Sequence, residues 1–121
     1  MWRYVQATGR MFHNDRFVWT GYSGHGLGLN NPSMQADARV GPIPQGLYDI
    51  GPPEDHPKLG PFALFLTPRP GTNTFGRSGF FLHGVPVNDA GHDASLGCIA
   101  KSPIESRQEV WNSGDRVLWV V

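Results

Sequence analysis

Apolar and polar residues alternate with a period of two along much of the chain, the pattern of strands that bury one face. Trp2-Arg3-Tyr4-Val5-Gln6 sets this pattern. Arg10-Met11-Phe12-His13 resumes it after a Thr8-Gly9 turn, and Arg16 to Tyr22 resumes it after Asn14-Asp15. Three such runs joined by short turns predict an antiparallel meander. Further strands are predicted at Leu47–Ile50 and Phe62–Leu66, bounded by Gly51-Pro52-Pro53, Gly60-Pro61, Pro68 and Pro70-Gly71. Gly79-Phe80-Phe81-Leu82-His83 is a short apolar run ending in a histidine, and Arg116–Val120 is the last strand. One helix is expected over about 103–112. Ser102 suits its N-cap, Pro103 its first position and Glu105 the closing residue of a capping box. Ile104, Val110 and Trp111 offer its apolar face, and Ser113-Gly114 its end. Between the strand blocks, residues 23–46 are dense in Gly, Asn and Pro and read as a long loop. In a small domain such a loop usually covers a functional site. Gly24, Gly26 and Gly28 invite a phosphate-loop reading, but no Lys-Ser/Thr and no helix signal follow them.

Composition narrows the class. A length of 121 residues predicts a single domain over 1–121. With 16 Gly and 11 Pro the chain cannot be mostly helical, so a compact, mainly β fold is expected. Ten Lys+Arg balance ten Asp+Glu, which argues against nucleic acid as the main partner. No apolar run reaches the roughly 18 residues of a membrane span, and Met1 to Gln6 lacks the apolar core of a signal peptide. The single cysteine, Cys98, rules out an internal disulfide framework and a multi-thiolate zinc site.

The candidate chemistry lies at that cysteine. His83 closes a predicted strand, and Cys98 follows after a loop containing Asp89, Gly91 and His92. An imidazole that meets a thiol can take its proton and create a thiolate nucleophile. Gly97 allows a tight turn whose N–H groups face a developing oxyanion, and Ser95 can brace that turn. Spacing alone slightly favours a buried, inert cysteine beside a strand-end histidine, and leaves His92 as a second candidate base. Arg77 could hold a substrate carboxylate, and Tyr22 and Ser23 could line a cleft beside the long loop. His25, His83 and His92 form no recognised metal pattern. His13 and His56, beside turn residues, are expected to be exposed. Glu54-Asp55 reads as a solvated loop, and Trp2, Trp19, Trp111 and Trp119 as core.

The segment His83-Gly84 followed by Ser95-Leu96-Gly97-Cys98-Ile99 resembles the signature of L,D-transpeptidases of the YkuD type. Tyr22-Ser23-Gly24, Asn30-Asn31-Pro32, Gly41-Pro42-Ile43-Pro44, Gly60-Pro61, Gly76-Arg77-Ser78-Gly79-Phe80-Phe81 and Trp111 to Arg116 extend the likeness to the type VI secretion L,D-transpeptidase effectors. The resemblance implies a β-rich, sandwich-like L,D-transpeptidase fold. It implies L,D-carboxypeptidase cleavage of the terminal D-alanine from peptidoglycan tetrapeptide stems, or its exchange for another D-amino acid acceptor. Cys98 matches the nucleophile, His83 the base, and Gly84, Ser95 and Gly97 the supporting motif positions. No metal or cofactor is implied. The resemblance also implies delivery by a type VI apparatus into a rival cell's periplasm without a signal peptide, and a periplasmic immunity protein as partner, with no membrane insertion. The short length and Met1 suit a full effector. Two positions depart from the broader motif: Leu96 stands where a histidine is usual, and Ala100 where Arg or Asn is usual. Two other classes compete: a cysteine peptidase of another specificity on wall peptides, and a non-catalytic β binding module.

Overall fold

The computed structural model describes residues 1–85 and 97–121. Its strands, in chain order, are β1 (Trp2–Val5), β2 (Arg10–His13), β3 (Arg16–Thr20), β4 (Tyr22–Ser23), β5 (Gly46–His56), β6 (Gly60–Pro68), β7 (Phe80–His83), β8 (Ile99–Ala100) and β9 (Val117–Val120). One helix, α1 (Ile104–Asn112), lies between β8 and β9, and 3-10 turns occupy Gly26–Gly28 and Pro32–Met34. The nine strands form one hydrogen-bonded sheet in the order β3-β2-β1-β9-β5-β6-β7-β8-β4. The fold is therefore mainly β, with the helix where the sequence places it. Pairing is antiparallel except for β1 with β9 and β7 with β8.

The outermost strands of that order, β3 and β4, are separated in sequence by Gly21 alone. Consecutive Cα atoms lie about 3.8 Å apart, so the sheet must roll until its two edges meet. Gly21 N–H donates to the Gly9 carbonyl at 2.8 Å where they do. The alternation read from the sequence supplies the interior. Trp2, Tyr4, Met11, Trp19, Tyr48, Ile50, Leu64, Leu66, Phe80, Leu82, Ile99, Leu118 and Val120 point inward and are buried. Burying side chains of this size contributes about 1.5–3 kcal/mol each, the dominant favourable term in the fold.

Several expectations need correction. β5 and β6 run through the prolines expected to stop them. Register shifts between Ile50 and Pro53, and between Glu54 and His56, absorb the missing ladder donors as bulges. Glu54 and Asp55 thus sit on a strand, although exposed. The capping box does not form. Pro103 occupies the N-cap without a side-chain cap. The Ser102 hydroxyl instead accepts from Val85 N–H at 3.1 Å and donates to the Val85 carbonyl at 3.3 Å. The buried face of α1 is Ser106, Arg107 and Val110, while Ile104 and Trp111 are half-buried. Trp119 lies on the outer sheet face, 43% exposed, because its neighbours Leu118 and Val120 take the inner one. His13 is half-buried, stacked on Trp2 with ring centroids 4.1 Å apart and bonded to Asp115 at 3.1 Å. Among the described residues no helix is long and apolar enough to cross a membrane.

Candidate active site

The site is built on the parallel pair β7–β8. Leu82 lies opposite Ile99, and both enter the core. Side chains alternate along a strand, so His83 shares the opposite face with Phe81, and Cys98 shares it with Ala100. His83 is opposite Ala100 in the register, which places Cys98 diagonally across from it. The loop that separates the two residues in sequence is thereby closed by two short strands.

His83 is buried, and its Nδ1 lies 2.7 Å from the Gly84 carbonyl oxygen. A carbonyl can only accept, so Nδ1 carries the proton and Nε2 is the basic nitrogen. Cys98 is half-buried, with Sγ 3.6 Å from the Gly79 carbonyl. Burial pushes its thiol up to about 11, against the opposing pull of the Phe81 backbone N–H and the Arg77 charge. At rest the thiol is therefore protonated, and the basic nitrogen of His83 is Nε2.

Two buried arginines back the two motif glycines. Arg77 donates to the carbonyls of Gln35, Gly41 at 3.1 Å and Pro42 at 2.8 Å. A Cβ on Gly97, whose φ is +117°, would stand 2.1 Å from an Arg77 terminal nitrogen. Arg107 donates to Phe62 O at 3.0 Å, Lys101 O at 2.8 Å and Pro61 O at 3.1 Å. A Cβ on Gly84 would stand 3.1 Å from it. The Arg77 fork faces backbone carbonyls, where the sequence suggested a substrate carboxylate. Its guanidinium holds the 35–42 segment and packs directly behind Gly97.

Ser23 is fully buried in β4. Its hydroxyl donates to the Cys98 carbonyl at 2.7 Å and accepts from Ile43 N–H at 2.8 Å. Tyr22 is half-buried beside it, opposite Ala100. Ser23→Ala strips both backbone groups of a partner, a cost of about 1–3 kcal/mol for each buried orphan. A thermal melt is expected to show a clear drop in Tm, with slower turnover; an unchanged melt would remove Ser23 from the support of Cys98. Ser95 and His92 lie outside the described residues.

Cys98 opens into a groove of 320 Å³ shared with Phe81, Ser78, His56, Arg39 and Lys58. The last three were not expected there. His56 is half-buried rather than exposed, its ring edge-on to Phe81 at 5.1 Å. Its Nδ1 accepts from Lys58 N–H at 3.0 Å and Leu59 N–H at 3.1 Å, which puts its proton on Nε2. A larger cavity, 530 Å³, lies between Trp2, His13, Arg16 and the end of α1 and touches none of the candidate residues. The candidate nucleophile lies in the smaller groove. Among the described residues, no cluster of three or more His, Cys, Asp or Glu could hold a metal ion.

The sequence matches the Tlde1 domain over residues 18–116. The chain belongs to the Tlde1 domain family. This is the family of type VI L,D-transpeptidase effectors, which implies an L,D-transpeptidase-like enzyme and a peptidoglycan substrate. No curated protein and no solved structure matches it. Within this Tlde1 domain the matched stretch includes every residue of the groove, as well as both buried arginines and Ser23.

Proposed function

We propose that this Tlde1 domain acts on peptidoglycan tetrapeptide stems as an L,D-carboxypeptidase and D-amino acid exchanger. The observation that carries the reading is the β7–β8 pairing. It brings the strand that ends at His83, whose Nδ1 lies on a carbonyl, beside the strand that begins directly after Cys98. In the reaction, His83 Nε2 takes the Cys98 proton as Sγ attacks the L-centre carbonyl of diaminopimelate. Backbone N–H groups at the Gly97–Cys98 turn receive the oxyanion. The carbon–nitrogen bond breaks, and the imidazolium gives its proton to the departing D-alanine amine. The thioester then yields to water, giving a tripeptide, or to a D-amino acid amine, giving an exchanged tetrapeptide. In both cases His83 takes the attacking group's proton and returns it to sulfur. The protein would act in a target cell's periplasm after type VI delivery, with an immunity protein protecting the producer.

The direct test is mass spectrometry of disaccharide-tetrapeptides incubated with the protein, with and without D-methionine, beside Cys98→Ala. Loss of D-alanine, or its replacement by D-methionine, is expected only with Cys98 intact. Unchanged masses with folded protein would defeat the reading.

A further inference from the structure

We propose that Arg39 and Lys58 form a carboxylate clamp that holds the C-terminal carboxylate of the leaving D-alanine, and later that of the incoming D-amino acid. The inference rests on the stem-peptide reading above and names the part of the groove that selects its substrate.

The cations elsewhere are engaged. Arg3 pairs with Asp15, and Arg69 with Asp49. Arg77 and Arg107 are bound to carbonyls. Arg10, Lys101 and Arg116 lie over aromatic rings. Among the described residues, Arg39, Lys58 and Arg16 alone have no ion-pair, carbonyl or ring partner for their charged groups. Two of these three line the groove that holds Cys98, and no described carboxylate lines it with them. Two like charges on the rim of one small groove raise its positive potential, which favours an anionic ligand.

Their backbones are held in place. Arg39 sits at φ +67°, a conformation that costs a non-glycine residue stability. It persists because the Asp37 carbonyl accepts from Gly41 N–H at 2.9 Å and Val40 N–H at 3.3 Å around it. Lys58 is fixed by its own N–H on His56 Nδ1.

The chemistry fits one part of the stem. A tetrapeptide carries a free carboxylate one residue beyond the scissile carbonyl, so the thiol and the carboxylate site must share one pocket. Arg offers a planar fork to a carboxylate, and Lys a point charge. A longer stem, or one whose terminus is already amide-linked, presents a neutral group there. Reversal of the same step brings in a D-amino acid amine with its carboxylate in the same place. One clamp therefore serves donor and acceptor.

The test uses the Cys98→Ala protein, so that binding is read without turnover. Calorimetry compares a disaccharide-tetrapeptide with the same compound amidated at its C-terminus. Hydrogen bonds to charged groups support a preference of about tenfold or more for the free carboxylate. In Cys98→Ala carrying Arg39→Gln and Lys58→Gln, the preference should fall below about twofold with Tm unchanged, since both residues are exposed. Equal affinities in the parent, including no binding of either compound at millimolar concentration, would overturn the clamp. So would a preference that survives both substitutions. The two proposals fail separately. Carboxylate-selective binding with no turnover by the intact protein would defeat the catalytic reading alone; turnover without selectivity would defeat the clamp alone.

Discussion

Cys98→Ala should lower release of D-alanine by at least about 10⁴-fold, and His83→Gln by about 10²–10⁴-fold, with both proteins folded. The pH dependence separates their roles. With the thiol pushed up to about 11 by burial, only about one site in 10⁴ is thiolate at pH 7. A raised thiol pKa means the nucleophile is scarce at neutral pH and grows as pH rises. Attack near neutrality therefore needs His83 to take the proton during the step rather than before it. In His83→Gln, alkylation of Cys98 by iodoacetamide and residual turnover should both climb about tenfold per pH unit from pH 7 toward about 11. The intact protein should also alkylate faster with rising pH, but its turnover at pH 7 should stand far above that of His83→Gln. Rapid, pH-independent alkylation of the intact protein between pH 6 and 9 would instead mean a preformed thiolate–imidazolium pair. Slow alkylation at all pH values, with turnover intact in Cys98→Ala, would sink the nucleophile assignment altogether.

What the sequence conveyed depended on whether the signal was local. Period-two alternation located β1, β2 and β3, whose side chains turn alternately toward and away from the core, and a short apolar run located β7, which is buried along nearly its whole length. It could not show that β5 crosses Pro52 and Pro53, since the bulge that accommodates them depends on the partner strand β6. A two-residue strand such as β8 has no period to read, yet its parallel pairing with β7 builds the site. His83 and Cys98 were legible as chemistry because a strand-end histidine and a Gly-Cys turn are local patterns. Arg39, His56 and Lys58 were not. They reach the groove from the far end of the 23–46 segment and from the β5–β6 turn, and only the sheet order brings those stretches to Cys98. Arg77 ran against expectation for the same reason, and Arg107 was not singled out at all. Charge suggests solvent or substrate, and only the folded chain supplies the carbonyls that satisfy them in the interior.

Gly97→Ala is expected to cost nearly as much activity as the loss of His83, although it removes no reacting group. The added methyl would meet the Arg77 guanidinium at 2.1 Å, in a backbone conformation, φ +117°, that L side chains rarely adopt. One of two groups must give way. If Arg77 moves, the carbonyls of Gln35, Gly41 and Pro42 lose their donor, at about 1–3 kcal/mol for each left buried and unpaired. If the turn moves, Sγ shifts relative to His83, and displacement of about 1 Å in a reacting group costs about 10²-fold in rate. A double-mutant cycle with Arg77→Ala distinguishes this packing from a requirement for glycine alone. Removing the guanidinium vacates the space the methyl needs, so Gly97→Ala should destabilise the Arg77→Ala protein less than the parent, with a coupling of about 0.5–3 kcal/mol in thermal or urea unfolding. Strict additivity would show that the backbone conformation, and not Arg77, demands the glycine. A fully active, undiminished Gly97→Ala protein would contradict both, and with them the view that the Gly97–Cys98 turn is held from behind by a buried cation.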